Sequence, residues 1–264
     1  MSNPQRMPAL FIGHGSPMNT LEDNRYSRAW RDLGQSLPRP TAILCISAHW
    51  YVNVLAVTAM PRPRTIHDFG GFPQALFDYQ YPAPGAPELA ARIGSMLAPQ
   101  HVIQDGSQWG LDHGTWSVLA HLYPKADIPV LQLSLDGSKP AQWHYELAKH
   151  LAPLRDEGVL ILGSGNVVHN LGVMRRDGAG PYDWAQRFES MVRQQVLTAS
   201  HQPLIDFAKA GSDATMSIPT PEHYLPLLYT LALQDASDAV RLPIDGIELG
   251  SISMLSVLVH QPPR

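Results

Sequence analysis

A single cysteine, Cys45, is the whole thiol content of this chain. One thiol cannot close an internal disulfide, and without a second there is no CxxC pair for redox work or zinc. Cys45 lies in the apolar run AILCIS, where a small core residue is expected. Charge is sparse as well: Asp, Glu, Lys and Arg make up 16% of the 264 residues, and the formal net charge is −4. A nucleic-acid partner would leave a basic footprint, and the sequence has none. No run of like charge suggests a membrane patch or a charged tail. No apolar stretch approaches the ~20 residues of a membrane-spanning helix. The opening MSNPQRMPALFIGHG lacks the apolar segment and cleavage site of a secretory signal, so the cytoplasm is the expected compartment. Several catalytic signatures are missing too: no GxGxxG follows a strand, and there is no P-loop, GxSxG elbow, HExxH or HxH.

Histidine and proline are what the chain has in quantity, with 12 and 24 respectively, and its 44% hydrophobic content suffices for a core without disulfides or structural metal. The histidines fall in short, tight contexts: GHGSPMN (His14), SAHW (His49), TIHDFGGFP (His67), WGLDHGTW (His113), SGNVVHN (His169), PEHYLPL (His223) and the less distinctive AQWHYE (His144). Neutral imidazole is the commonest protein metal ligand and a frequent acid–base catalyst near neutral pH. His101, His121, His150, His201 and His260 have no comparable context and are read as surface or core residues.

Apolar runs alternate with helical patterns. PALFIGHG reads as a buried strand ending in a glycine loop, TAILCISAHW as a strand ending at His49, and VNVLAVTAM as its hairpin-like or adjacent partner. IPVLQLSL and GVLILGSGN are further buried strands, while HVIQ and the terminal GIELGSISMLSVLVH supply shorter ones. Helices are expected over 22–33 with Gly34 as the stop, and over 87–97, 114–122, 140–157, 182–199, 204–210 and 221–233. Strands apolar throughout are covered on both faces. With no repeat and no linker, the expectation is one α/β domain over 1–264, a central mostly parallel or mixed sheet flanked by helices. In such folds chemistry gathers at the carboxyl ends of strands.

His14, His49 and His169 each follow a predicted strand, so their imidazoles can converge on a metal; each can equally be a hydrogen-bonded histidine near a strand end. His223, in the first turn of a predicted helix, can face the same cleft, with Glu222 as a competing ligand that the helix dipole favours in any case. Asp112 either orients His113 or caps the helix that follows. Residues 61–87 form a long loop too aromatic for disorder. Within it His67 and Asp68 offer polar contacts, and Phe69 and Phe72 offer faces for a planar ring, so 64–81 is expected to wall a substrate pocket. Ser16 and Ser164 do not sit in a nucleophile elbow.

In order along residues 9–257, the motifs GHGSPMN, SAHW, HDFGGFP, YPAPG, WGLDHGTW, SGNVVHN, TPEHYLPLLY and GSISMLS resemble the class III extradiol ring-cleavage dioxygenases. The resemblance is to the 4,5-DOPA dioxygenase extradiol branch and spans nearly the whole chain. It implies a mononuclear metal held by His14 and His49, with His223 as third ligand and His169 either completing the set or acting on the substrate. The wider class uses a carboxylate as third ligand, where this chain has a histidine. One non-haem Fe(II) is the implied cofactor; the all-histidine set also suits zinc, which has no redox chemistry. A catechol such as L-DOPA and O2 are the implied substrates, and 4,5-seco-DOPA or a similar muconic semialdehyde the product. His169 is implied as a base and His113 as an acid. A zinc-dependent hydrolase using the same histidines, or a metal-binding member without catalysis, are the alternatives.

Overall fold

The apolar runs of the chain pair into one mixed sheet in the computed structural model, which describes residues 6–262. The strands are β1 (Ala9–Gly13), β2 (Ala42–Val52), β3 (Ala56–Thr58), β4 (Ile103–Asp105), β5 (Val130–Asp136), β6 (Val159–Gly165), β7 (Ala239–Arg241), β8 (Ile247–Glu248), β9 (Ile252–Ser253) and β10 (Val257–His260). Eight of them form the main sheet in the order β4-β3-β5-β2-β6-β1-β10-β7, while β8 and β9 pair separately. β6 lies between β1 and β2 and runs parallel to both, and β5 runs parallel to β2. The carboxyl ends of these four strands therefore share one edge.

Helices cover both faces: α1 (Arg25–Ser36), α2 (Gln74–Phe77), α3 (Pro87–Met96), α4 (His113–Leu122), α5 (Ala141–Lys149), α6 (Pro153–Asp156), α7 (Asp183–Leu197), α8 (Gln202–Ile205), α9 (Ser212–Ser217) and α10 (Leu225–Ala232). Successive strand residues point to opposite faces. Phe11, Leu44, Ile46 and Leu133 pack toward Ile93 of α3, Leu147 of α5 and Leu228 of α10. Leu10, Ile12, Ile43 and Cys45 pack the other way, toward Trp30 of α1 and Trp116 and Leu119 of α4. Burying each such leucine or isoleucine contributes ~1.5–3 kcal/mol, so the sheet is held from both sides. Among the described residues no helix is long and apolar enough to cross a membrane.

The structure departs from the sequence expectations at several element boundaries. β2 does not end at His49 but runs on to Val52, through a register shift against β5 between Ile46 and Tyr51. The segment after it is not its hairpin partner: β5 and β6 occupy both edges of β2, so β3 pairs with β5 and β4 instead. α1 starts at Arg25, where the Asn24 side chain accepts from the backbone N–H groups of Tyr26 and Ser27. Gly34 does not stop this helix. It lets α1 approach the end of α4, since a Cβ there would stand 2.1 Å from the Leu122 carbonyl oxygen. The single helix expected over 140–157 is split into α5 and α6 ahead of Pro153, whose ring cannot continue a helical ladder. α10 begins only at Leu225, with Pro226 in its first turn, so Glu222 and His223 lie in the turn before it.

His144 joins three of these elements. Its Nε2 lies 3.2 Å from the Asp136 carbonyl at the end of β5, and its Nδ1 2.9 Å from the Tyr229 hydroxyl of α10. A carbonyl only accepts, so Nε2 carries the hydrogen and Tyr229 donates to Nδ1. Burial lowers the imidazole from its ordinary 6.5 to about 4, against the opposing pull of the Asp136 carbonyl and charge. The unfolded chain therefore takes up this proton first. The resulting stability is present above about pH 6.5 and is lost as pH falls through about 4, on the order of 3 kcal/mol in all. Urea unfolding of His144→Gln should accordingly show a shallower fall in stability between about pH 7 and about pH 4.5, by ~2–3 kcal/mol, than the parent protein. Equal slopes would remove His144 from the acid response.

Candidate metal centre and active site

His14, His49, His113, His169 and His223 come together at the carboxyl edge of the sheet, around a cavity of ≈ 510 Å³. His14 leaves β1 with its backbone N–H donating to the Gly165 carbonyl at 3.0 Å. His223 is brought in by β6: the Asn166 N–H donates to the His223 carbonyl at 2.8 Å. That contact requires glycine at 165, where a Cβ would stand 2.1 Å from the same carbonyl oxygen.

Four of these rings, all but His169, have their Nδ1 held by an acceptor; His14, His49 and His223 are taken first. Ser164 Oγ donates to the Gly114 carbonyl at 2.5 Å and lies 3.0 Å from His14 Nδ1, so His14 Nδ1 is the donor there. His49 Nδ1 lies 3.2 Å from Asp68 Oδ2, and His223 Nδ1 3.2 Å from Glu222 Oε1. Ionised carboxylates only accept, so both Nδ1 atoms carry hydrogen. All three Nε2 atoms are left with a lone pair. Those of His14 and His49 face each other at 3.2 Å, and that of His223 is buried without any partner. The ring centroids stand 5.1, 5.4 and 5.0 Å apart, nearly an equilateral triangle. Facing lone pairs repel, and a buried unsatisfied polar atom costs ~1–3 kcal/mol. A cation shared by the three nitrogens removes both penalties, so the donor set fits a metal ion. Orientation of each ligand through its other nitrogen is the usual second layer of such a site.

Donor proximity alone groups the rings differently. His14, His49 and His113 bring donor atoms within 4.8 Å of one another, and so do His169, Glu222 and His223. Ring planes set His169 and His223 against acting together. The two rings stack with centroids 3.5 Å apart and 8° between planes. A metal in the plane of one therefore lies well out of the plane of the other, and both cannot ligate it in this arrangement. His113 Nδ1 lies 3.0 Å from Asp68 Oδ1, which also accepts the His113 backbone N–H at 3.0 Å. Asp68 thus holds His49 with one oxygen and His113 with the other.

Burial sets the protonation of the cluster. It holds His14 and His223 well below the ordinary imidazole value, and the neighbouring rings add to this. It takes His49 to about 3, with His113 lowering it further and Asp68 opposing. It takes His169 to about 4, with Glu222 opposing. Neutral imidazoles are the form that binds metal. Burial by itself would raise the Asp68 carboxyl, but the His113 hydrogen bond and the His113 and His49 charges bring it to about 2.

The remaining sequence candidates divide. Asp68, Phe69 and Phe72 line the cavity. His67 is not among its lining residues: its Nε2 lies 2.9 Å from the Tyr79 carbonyl, and its ring packs on Phe69, Phe77 and Trp116 behind the wall. Asp112 does not orient His113. It caps α4 by accepting from the Thr115 N–H, and is tied down by Ser47 and Gln132. Sequence reasoning weighed Ser164 only as a nucleophile and missed it as the partner of His14, although its place in the GSG turn before His169 was a usable signal. It also missed the outer rim: no motif marks Leu171, Met174, Arg176 and Leu249, and Ile252 lies in GSISMLS without being singled out.

Residues 8–245 match the family described as the catalytic LigB subunit of aromatic ring-opening dioxygenase. The chain belongs to this family. It is 54% identical over 258 residues to the 4,5-DOPA dioxygenase extradiol of Escherichia coli (strain K12), covering 96% of this chain and 95% of that protein. It is 40% identical over 226 residues to the 4,5-DOPA dioxygenase extradiol of Beta vulgaris, covering 83% of each. The crystal structure of an uncharacterized protein from Escherichia coli K12 superimposes with a TM-score of 0.85 at 49% identity, covering 96% of this chain and 100% of that one. The protein is an extradiol ring-cleavage dioxygenase of a metal-dependent family, as its motifs led us to expect.

The close approach at Gly165 is open to test. Gly165→Ala must push the His223 turn away, at a cost of ~1–3 kcal/mol for overpacking, and should weaken metal binding at least ~10-fold. Metal titration alongside urea unfolding separates the two effects. Unaltered metal affinity in the folded variant would show that His223 is not placed by this contact.

Proposed function

We propose that the enzyme opens the ring of a catechol such as L-DOPA, using O2 at one metal ion held by His14, His49 and His223. What supports this ligand set is the approach of the His14 and His49 Nε2 atoms to 3.2 Å, with the His223 ring centroid 5.4 and 5.0 Å from theirs and its Nε2 buried without a partner. Fe(II) bound there supplies Lewis acidity for the catechol hydroxyls and the redox link to O2; zinc fits the same donors without that link.

The chain's own residues divide the remaining work. His169 lines the cavity with a ring that burial keeps neutral, so it is the base that takes a proton from a catechol hydroxyl. Its ring stacks on that of His223 with centroids 3.5 Å apart, which supports a role beside the metal rather than on it. His113 is fixed at Nδ1 by Asp68, and its Nε2 is the group that exchanges a proton with the substrate during ring opening. Phe69 meets the His113 ring edge-on at 5.4 Å and Phe72 at 5.3 Å, giving the catechol an apolar wall. The product is 4,5-seco-DOPA, or the corresponding muconic semialdehyde of another catechol.

Anaerobic loading with Fe(II), followed by L-DOPA and air, should give a yellow semialdehyde; zinc-loaded protein should give none. Protein that stays colourless with every catechol tried would defeat the reading. His14→Ala and His49→Ala should each abolish stoichiometric metal in a folded protein, and full occupancy in the double variant would reject the ligand set. His113→Gln should keep its metal and lose ~10²–10⁴ in turnover, the usual range for an acid–base group. Loss of metal from that variant would make His113 a ligand instead.

A further inference from the structure

We propose that Arg176 is a specificity-determining residue that binds a carboxylate on the catechol's side chain, so that the enzyme prefers carboxylate-bearing catechols to neutral or cationic ones. The inference rests on the catechol reading above and goes beyond it to the substituent.

The cavity has two unlike ends. The inner end is the histidine cluster, where the two ring oxygens must sit. The outer rim is apolar, built by Leu171, Met174, Leu249 and Ile252, and carries one ionic group, Arg176. Apart from the histidines, the only other ionisable side chain lining the cavity is Asp68, and both of its oxygens are engaged by His49 and His113. Arg176 makes no hydrogen bond or ion pair with any described residue. The unpaired charge presented to the cavity is therefore positive, in a protein whose net charge is −4.

The backbone around Arg176 is held in place. The Asn170 N–H donates to the Ser251 carbonyl at 3.1 Å, the Arg175 N–H to the Leu249 carbonyl at 2.7 Å, and the Tyr182 N–H to the Gly250 carbonyl at 3.0 Å. The neighbouring Arg175 is already committed, its guanidinium 3.5 Å from the centroid of the Tyr182 ring. Of two adjacent arginines, one is spent on the scaffold and the other is left at the cavity. With the diol at the histidines, a substituent on the far side of the ring extends toward this rim. A guanidinium presents a rigid fork that matches a carboxylate bidentately, and its charge disfavours an ammonium with no accompanying carboxylate.

The test compares 3,4-dihydroxyphenylpropionate, 4-methylcatechol and dopamine on the Fe(II)-loaded enzyme. The quantity read is the ratio of kcat/KM for the propionate to that for 4-methylcatechol. Arg176→Met should lower this ratio ~10–100-fold, the range of one charge-assisted ionic contact, chiefly through KM for the propionate. Arg176→Lys should recover part of it, having the charge without the fork. Raising salt from about 50 to about 500 mM should lower the ratio in the parent and leave it level in Arg176→Met. Dopamine should be the poorest substrate of the parent and improve relative to 4-methylcatechol in Arg176→Met. Calorimetric binding of the propionate and 4-methylcatechol to zinc-loaded protein reads the same preference without turnover. A ratio unchanged in Arg176→Met, or an equal loss on both catechols, overturns the proposal while leaving ring opening intact. Absence of ring opening in the parent with every catechol overturns the functional reading instead, and the binding ratio still decides the role of Arg176.

Discussion

The centre depends on one constraint: each candidate ligand imidazole has its Nδ1 committed to an oxygen acceptor. Ser164 holds His14, Asp68 holds His49 and Glu222 holds His223. Without those acceptors the rings could change tautomer and satisfy one another through N–H···N bonds, closing the centre on itself. With them, each Nε2 keeps a free lone pair, those of His14 and His49 facing each other at 3.2 Å and that of His223 buried without a partner. Asp68 carries a second duty, since its other oxygen holds His113. One carboxylate thereby aligns two imidazoles of the cluster, and the rings it orients hold its carboxyl below the usual range in return.

The same burial that keeps the imidazoles neutral deprives them of water. A buried nitrogen without a partner is costly, and His223 Nε2 is in that position. Affinity for a cation is the counterpart of that cost. The backbone makes the arrangement by close approach: β6 touches the His223 turn through a glycine, and the residue after that glycine donates to the His223 carbonyl. His14 enters from the adjacent parallel strand, with its own N–H on Gly165. Two histidines far apart in the chain are thus positioned by one short stretch at the end of β6.

Identical side chains are distinguished by the orientation of their planes. His169 and His223 lie flat against each other, so a metal in the plane of one is out of the plane of the other. His113 is a near neighbour of His49, at 3.8 Å between centroids, yet the carboxylate it shares with His49 sets its direction. The cavity joins these histidines with the apolar Leu171, Met174, Leu249 and Ile252 and one guanidinium, Arg176.

Much of this was legible in the chain. Runs such as AILCIS and VLILG are apolar at every position, which marks strands covered on both faces and hence a layered α/β domain. Glycine-flanked His14 and the SGNVVHN motif marked strand ends where chemistry gathers. What sequence could not settle was which polar groups meet across the fold. Asp68 stands next to His67 in the chain, and Asp112 next to His113 could either orient it or cap the following helix; the structure gives His113 to Asp68 and uses Asp112 as the cap. Side-chain partnership over long separations is set by strand order and by where each ring plane points, and neither leaves a local trace. Residue types and periodicity, read along the chain, determined the sheet and its histidine-bearing edge. Only tertiary packing decided which nitrogen of each histidine is held and which is free, because that choice is made by acceptors brought in from other strands and loops.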